Sequence, residues 1–166
     1  AAESFDAEGY FKTGDKGEWR AGANGAKFLA ITGRIKDMII LDQRENVWPE
    51  TLEGIFKRSP LVADCVIPMS CEAPGRAHLL LLFAASADDV TDAQIRAEVR
   101  AHGAVAGIQA HEYPMQFVRV SEAFTKENGF RNANHKLLRK KIDEHYKASI
   151  DAAFAVDPAK GDKLQG

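Results

Sequence analysis

The chain has 166 residues, of which 45% are hydrophobic and 28% charged, and its formal net charge is −2 at pH 7. This length can bury a hydrophobic core, so one domain with appendages is expected. The small net charge disfavours a general nucleic-acid binder, and no apolar run approaches a membrane span. Cys65 and Cys71 are the only cysteines, and two buried reduced thiols are a better interpretation than a zinc site.

The first part of the chain is predicted to form short strands. Strands are expected at Tyr10 to Thr13 and at Gly17 to Arg20, around a turn at Gly14-Asp15. The Asn24-Gly25 step favours a hairpin, for which Phe28 to Thr32 is the return strand. This segment has too few apolar residues to bury itself.

Strands and helices alternate in the rest of the chain. Pro49 is predicted to open a helix that buries Leu52, Ile55 and Phe56. A capping box at Thr91 begins a helix that ends at Gly103, and a long amphipathic helix is expected from about Lys136 to Ala155. The expected strands are Met38 to Leu41, Asn46 to Trp48, Leu61 to Pro68, His78 to Ala85 and Gln116 to Val120.

Two polar residues follow glycines in the first segment, namely Asp15 after Gly14 and Arg34 after Gly33. A carboxylate can accept two hydrogen bonds from a sugar diol, while a guanidinium offers a planar cationic fork to phosphate or hydroxyl oxygens. The pair therefore suits a nucleotide. Asp15 alone would more often be an ordinary turn residue.

Four segments together resemble motifs of the adenylate-forming superfamily, and most of all those of long-chain fatty acyl-CoA synthetases. Three of them are Tyr10 to Asp15, Ile31 to Asp37 and Glu45 to Glu53. The fourth is Phe124 to Gly129, followed by Lys136 to Arg139 at the family's spacing. Family members carry a glycine-rich phosphate loop in a large preceding domain, and that loop does not occur here. The resemblance therefore implies that the chain is a fragment.

The resemblance assigns a role to each matching residue. Asp15 would hold the ribose, Arg34 the ribose or a phosphate, and Lys36 would be the hinge between domains. Lys136 would be the catalytic lysine, which contacts the carboxylate and phosphate during adenylation. The segment from Lys126 to Lys147 contains seven basic and three acidic residues, and this excess of positive charge favours a phosphate-bearing partner. A basic helix start is, however, most often a solvated surface.

The loop between Leu41 and Glu45 departs from the family, because it reads Asp42-Gln43-Arg44 where one or two glycines are usual. In the family this loop approaches the pantetheine of coenzyme A, and Gln43, Arg44 and Glu45 are its possible counterparts here. Arg44 would either block that approach or bind a phosphate of CoA. A second departure is Asn132-Ala133-Asn134, which replaces a Thr-Pro-Thr turn. His135 and His145 are expected to be surface residues, and no metal site is predicted.

The implied fold is α+β, with a small mixed or antiparallel sheet flanked by helices. Residues 1–33 would be the end of the large domain, built of β-hairpins, and residues 34–156 the mobile C-terminal lid domain. Residues 157–166 are predicted to be a flexible tail.

The resemblance implies a ligase that converts a fatty acid and ATP to acyl-AMP and then forms acyl-CoA. ATP, Mg²⁺ and CoA would serve the intact enzyme, and the fragment alone would be inactive without the missing N-terminal adenylation domain. A cytoplasmic location is expected, with peripheral membrane contact left open. Two alternatives remain: an acyl-AMP ligase that transfers to a non-CoA acceptor such as a carrier protein, and a non-catalytic interaction module that retains the fold.

Overall fold

The computed structural model describes residues 4–156. The predicted tail at 157–166 and the first three residues of the predicted 1–33 segment lie outside this range. The strands are β1 (Asp15–Ala21), β2 (Lys27–Arg34), β3 (Ile39–Ile40), β4 (Asn46–Val47), β5 (Val62–Val66), β6 (Leu80–Ala85) and β7 (Gln116–Arg119). The α-helices are α1 (Pro49–Phe56), α2 (Asp92–Ala106), α3 (Arg139–His145) and α4 (Lys147–Ala155). Short 3₁₀ turns occur at Ile35–Asp37, Met69–Glu72 and Ala110–Glu112.

Strands β1 and β2 form the predicted hairpin. Gly25 has φ +78° in the connecting turn, and Asn24 Oδ1 accepts a hydrogen bond of 3.1 Å from the amide of Ala26. The strand predicted at residues 10–13 is wrong, since only Phe11 pairs there, in an isolated bridge with Phe5. Gly14 has φ +75° and interrupts the extended backbone, so Asp15 begins β1 instead of lying in a turn.

The hairpin leaves large apolar side chains exposed. Trp19 is 72% exposed and Ile31 62%, whereas a two-stranded hairpin needs a covered face to be stable. Large apolar side chains exposed together in one region are typical of an interaction site. The exposed apolar surface of this region comprises Phe5, Tyr10, Phe11, Trp19, Phe28, Leu29 and Ile31.

A three-stranded mixed sheet in the order β5-β6-β7 forms the centre of the remaining chain. Strand β6 pairs antiparallel with β5 and parallel with β7. Its apolar run is fully buried from Leu80 to Phe83, as expected of a strand covered on both faces. With the helices around this sheet, the α+β prediction is confirmed.

The first two helices begin where the sequence predicts. Pro49 occupies the first turn of α1, and Thr91 forms a capping box with Gln94 at the start of α2. The predicted end of α2 at Gly103 is wrong. The helix continues to Ala106, and Gly107 with φ +69° is the residue that ends it.

The predicted helix from Lys136 to Ala155 begins later and is interrupted. The amide of Leu138 donates to the carbonyl of Phe130 at 2.9 Å, so the residues before Arg139 form a small hairpin instead of a helical turn. Tyr146, with φ −96° and ψ 11°, separates α3 from α4. Its ring packs against Phe124 and Phe130, and this aromatic contact accompanies the break.

Both cysteines are buried and unpaired. Burial raises the pKa of the Cys71 thiol to about 12, and that of Cys65 is raised further for the same reason. Among residues 4–156, no helix combines the length and apolar character needed to cross a membrane.

Candidate functional site

Asp15 and Arg34 face each other across the β1–β2 hairpin. They are paired residues in its register, and Asp15 Oδ1 lies 3.2 Å from Arg34 Nε. The amide of Asp15 donates to Thr13 Oγ1 at 3.2 Å, and the amide of Ile35 donates to the carbonyl of Gly14 at 2.8 Å. These bonds fix the backbone on both sides of the ion pair. Neither residue has another charged partner within residues 4–156.

This ion pair lines a cavity of about 740 Å³. The other lining residues come from the Lys12–Gly14 turn and from the start of the 3₁₀ turn, Ile35 and Lys36. A second cavity, of about 440 Å³, is lined by Lys36, Asp37 and residues 136–141. Lys36 therefore borders both spaces. The structure brings Asp15 and Arg34 together and places Lys136 in the neighbouring cavity.

The loop Gln43-Arg44-Glu45 belongs to a tight hairpin between β3 and β4. The amide of Arg44 donates to the carbonyl of Leu41 at 2.8 Å, and the amide of Leu41 donates to the carbonyl of Glu45 at 3.0 Å. Arg44 has φ +62°, a left-handed conformation that glycine adopts without strain. Where the sequence departs from the family's glycine, the backbone thus keeps a glycine-like conformation. Glu45 Oε1 lies 3.5 Å from His111 Nδ1.

Lys136 lies at the end of a second turn of the same type. The amides of Asn134 and Lys136 donate to Asn132 Oδ1 at 2.9 and 3.0 Å, and His135 has φ +60°. The side chain of Asn132 therefore organises the turn that replaces Thr-Pro-Thr. His135 and His145 are exposed.

Arg131 anchors this turn from one side. Its guanidinium donates to the carbonyls of Phe124 and His135 at 2.6 and 2.9 Å, and to Asp64 Oδ2 at 3.0 Å. Asp64 also contacts Lys57 Nζ at 2.7 Å. Burial alone would raise the pKa of Asp64, but the hydrogen bonds and charges of Lys57 and Arg131 outweigh it and lower the pKa below its ordinary value.

Arg139 anchors the turn from the other side, through Glu53 on α1. Both side chains are buried, and Arg139 Nη1 also donates to the carbonyl of Ile67 at 3.2 Å. Burial would lower the pKa of Arg139, but its hydrogen bonds and charge interaction with Glu53 raise it on balance. Lys136 thus lies between two arginines that are each fixed to a buried carboxylate.

The basic cluster predicted from the sequence offers fewer unpaired cations than its seven basic residues suggest. Arg131 and Arg139 are engaged by Asp64 and Glu53, and Lys147 is paired with Asp151. Of the four that remain, Lys136, Lys140 and Lys141 line the second cavity, and Lys126 does not. The charge available to an anionic ligand is therefore concentrated at the start of α3.

The sequence interpretation of the helix at Pro49 named Leu52, Ile55 and Phe56 as its buried residues and missed Glu53, which is buried with them and paired with Arg139. The spacing of three residues from Glu53 to Phe56 puts Glu53 on the apolar side of the helix, and that spacing was the available signal. The acidic, histidine and cysteine residues of the described range include no group of three or more placed to hold a metal ion. The roles of Asp15, Arg34, Lys36, Lys136 and the 43–45 loop stay predictions, as does the domain boundary at residue 33.

Comparison with characterised proteins gives a consistent set of relatives. The carboxylic acid reductase of Mycobacterium marinum is 30% identical over 161 residues, which are 92% of this chain and 13% of the reductase. Long-chain-fatty-acid–CoA ligase 1 of Schizosaccharomyces pombe is 30% identical over 174 residues, covering 92% of this chain and 25% of the ligase. This chain therefore spans only a small part of the relatives it matches. No protein-family model matches it.

Solved structures agree with these relatives. The A-PCP didomain of carboxylic acid reductase from Segniliparus rugosus, in complex with AMP, matches 93% of this chain and 22% of its own, with TM-score 0.79 and 25% identity. Mycobacterium tuberculosis fatty acyl CoA synthetase matches 89% of this chain and 26% of its own, with TM-score 0.57 and 26% identity.

Proposed function

We propose, since this chain is homologous to the adenylate-forming enzymes, that it is part of an enzyme that activates a carboxylic acid with ATP. In this reaction a carboxylate oxygen attacks the α-phosphorus of ATP, the bond to the β-phosphate oxygen breaks, and pyrophosphate leaves. The products are acyl-AMP and pyrophosphate. We further propose that the acid is a long-chain fatty acid.

The ion pair of Asp15 with Arg34 is the observation that most supports this function. Asp15 uses Oδ1 for Arg34, and its second carboxylate oxygen can accept hydrogen bonds from the ribose hydroxyls. Arg34 engages Asp15 through Nε, so its two terminal nitrogens can donate to ribose or phosphate oxygens. The carboxylate thus orients the fork of the guanidinium, and the cavity beside them has room for a nucleotide.

Lys136 lines the second cavity, which Lys36 separates from the proposed nucleotide site. We propose that Lys136 acts on the nucleotide from there. Its ammonium would offset the charge that develops on the attacking carboxylate and the α-phosphate, which is the kind of fixed electrostatic contribution that lowers a barrier most. The turn organised by Asn132 and the two anchored arginines holds its backbone in place. Lys36 would be the hinge on which the segment after Arg34 moves towards the nucleotide. Mg²⁺ would accompany ATP, mostly through residues of the large adenylation domain that this chain lacks.

For the second step, we propose CoA as the acceptor. The thiol sulfur would attack the acyl carbonyl carbon, the bond to the AMP oxygen would break, and acyl-CoA and AMP would form. The glycine-like backbone of Arg44 supports this proposal, because a narrow hairpin loop leaves room for the pantetheine arm. The side chain of Arg44 is exposed and can swing away from that arm or contact a phosphate of CoA.

A second candidate acceptor is the thiol of a carrier protein. The higher TM-score to the carboxylic acid reductase didomain than to the fatty acyl CoA synthetase favours this candidate. The adenylation step is the same for both acceptors. The two candidates differ only in which thiol attacks the acyl-adenylate.

The test is fatty-acid-dependent release of pyrophosphate by the intact enzyme that contains this chain, measured without acceptor, with CoA, and with a carrier protein bearing phosphopantetheine. Continuous turnover with CoA alone supports the synthetase, and turnover with the carrier alone supports the second candidate. A stoichiometric burst that neither thiol turns over indicates another acceptor. Absence of release in all three assays would overturn adenylation and favour the interaction module. Asp15→Asn should raise KM for ATP, while the exposed Asp42→Asn should not.

A further inference from the structure

A cleft separate from the proposed nucleotide site lies between α2 and the segment that leads into β7. Its volume is about 480 Å³, within the range of small-molecule sites. One wall is helical and includes Arg96 and Arg100, and the other includes Tyr113, Met115 and Phe117. None of the residues assigned to the nucleotide site lines this cleft.

One side of the cleft is cationic. Arg96 and Arg100 are one helical turn apart on α2, and the residues described by the structure provide neither of them with a carboxylate partner. The guanidinium carbon of Arg96 lies 4.4 Å from the centroid of the Phe117 ring. This stacking holds the cation in place while its nitrogens stay available to hydrogen-bond acceptors. By contrast, Arg119 on β7 is already paired with Asp92 at 2.8 Å.

The other side of the cleft is apolar. The amide of Met115 donates to the carbonyl of Leu79 at 3.0 Å, so its backbone is fixed, yet its side chain is 50% exposed. Tyr113 packs closely against Gly103 of α2, where a Cβ would lie 2.6 Å from the ring. Methionine adapts well to varied apolar ligands, and the tyrosine ring gives the wall a rigid surface.

We propose that this cleft binds a small organic anion with an apolar body, of the class of medium-chain monocarboxylates. Arg96 and Arg100 would contact the carboxylate, and the side chains of Tyr113, Met115 and Phe117 would cover the alkyl chain. Two unpaired guanidinium groups one turn apart favour an anion over a neutral ligand. The volume of the cleft favours a small molecule over a folded partner.

The test uses decanoate as the probe and the 166-residue chain, with amide chemical shifts recorded by NMR during titration. Saturable shifts are expected for amides of α2 and of residues 113–117. Arg100→Glu should weaken binding by about tenfold or more, because it removes a charge-assisted hydrogen bond and places a like charge beside the carboxylate. Arg58→Glu is the matched control, because Arg58 is also an exposed arginine but lies outside the cleft, and decanoate binding to this variant should stay unchanged.

Decanol and acetate separate the two halves of the proposed ligand. Each should bind far more weakly than decanoate, because one lacks the charge and the other the apolar body. Arg96→Gln removes the other cation of the cleft and should also weaken decanoate binding. Equal binding of decanol and decanoate, shifts confined to the exposed apolar residues of the β1–β2 hairpin, or an Arg100→Glu chain that binds like the original would each overturn the proposal. The pyrophosphate assay does not depend on any of these results.

Discussion

The guanidinium of Arg139 and the carboxylate of Glu53 form a bidentate ion pair, with Nη1–Oε1 at 2.7 Å and Nη2–Oε2 at 2.9 Å. The side chains are only 7% and 4% exposed, and Glu53 Oε1 also accepts the amide of Ile67 at 2.8 Å. The pair joins the start of α3 to α1. Because α1 follows the Gln43-Arg44-Glu45 loop, the pair connects the segment with Lys136 to the helix that follows that loop.

Glu53→Gln should destabilise the chain strongly, because it leaves the guanidinium of Arg139 buried without a counter-charge. Breaking such a pair costs about 3–5 kcal/mol in the free energy of unfolding, which urea denaturation of the chain would measure. Glu18→Gln is the control, since its ion pair with Arg20 is exposed and contributes at most ~1 kcal/mol. A Glu53→Gln chain as stable as the Glu18→Gln chain would show that water reaches the pair.

Lys136→Ala in the intact enzyme should lower acyl-adenylate formation by about 100-fold or more, as expected when a fixed electrostatic group is lost from a transition state. Thioester formation from supplied acyl-adenylate should be largely preserved, because that step no longer involves attack on phosphorus. The two half-reactions are measured separately, by pyrophosphate release and by thioester yield. Lys126→Ala is the control, since Lys126 is exposed and outside the cavity of Lys136. Equal loss of both steps would contradict the assignment.

The sequence predicts local features of this fold well, because they depend on neighbouring residues. The Asn24-Gly25 turn, the helix start at Pro49 and the capping box of Thr91 are all confirmed. The continuous apolar run of β6 likewise predicts a strand covered on both faces, and Leu80 to Phe83 are fully buried. Each of these signals lies within a few residues of the feature it specifies.

Features that depend on distant partners were not predictable in this way. Arg131 and Arg139 look like surface cations in the sequence, yet their partners Asp64 and Glu53 are 67 and 86 residues away. Gly103 looks like a helix end in the sequence. In the structure it lies inside α2, and the absence of a side chain lets Tyr113 pack closely against it. The chemistry of Asp15 and Arg34 suggested a nucleotide, and the resemblance assigned both to it, but their direct ion pair follows from the hairpin register.

Arg44→Gly should stabilise the chain modestly. The left-handed backbone of Arg44 costs roughly 1–2 kcal/mol for a residue with a Cβ, and the larger entropy of unfolded glycine offsets part of the gain. A net increase of about 0.5–1 kcal/mol in the free energy of unfolding is expected. Arg44→Ala keeps the Cβ and should leave stability nearly unchanged.

The same substitution also tests the acceptor loop in the intact enzyme. Since glycine is usual in the family's loop, Arg44→Gly should preserve or lower KM for CoA, measured by thioester formation. A large increase in KM for CoA would show that the side chain of Arg44 binds the cofactor. Comparison with Arg44→Ala separates the loss of the arginine side chain from the relief of the strain in its left-handed backbone.

Gly103→Ala should destabilise α2 although alanine is the better helix former. A Cβ at this position would lie 2.6 Å from Tyr113 Cε1 and 2.8 Å from Ile108 Cδ1, so both side chains must move. Gly54→Ala in α1 is the matched control, because a Cβ there meets nothing within 4 Å. It should gain about 1 kcal/mol in helix propensity. Thermal unfolding of both variants measures the difference, and a Gly103→Ala chain that gains as much as the Gly54→Ala chain would contradict the close packing of Tyr113.

Asp64 and Asp143 should contribute to stability with opposite dependence on pH. The pKa of Asp64 is lowered in the folded chain by Lys57 and Arg131 despite burial, so its contribution is present above its unfolded pKa and is lost as pH falls through the folded one. The pKa of Asp143 is raised by burial, against the hydrogen bond that Oδ2 accepts from the amide of Ser70 at 2.8 Å. Its charged form therefore destabilises the fold, and that effect disappears in acid.

Asp64→Asn should accordingly lower the free energy of unfolding at pH 7 by about 1–3 kcal/mol, because it leaves two cations without their carboxylate. Asp143→Asn should raise it, since the amide can still accept from Ser70 and carries no buried charge. Asp143 Oδ1 and Ser70 Oγ both lack a hydrogen-bond partner in the described structure, so the new Nδ2 group can donate to that hydroxyl. Urea unfolding of both variants from pH 7 down to the acid transition measures these effects. Both differences from the original chain should shrink as pH falls, and a constant difference for either variant would show that its carboxylate has the same pKa in the folded and unfolded chain.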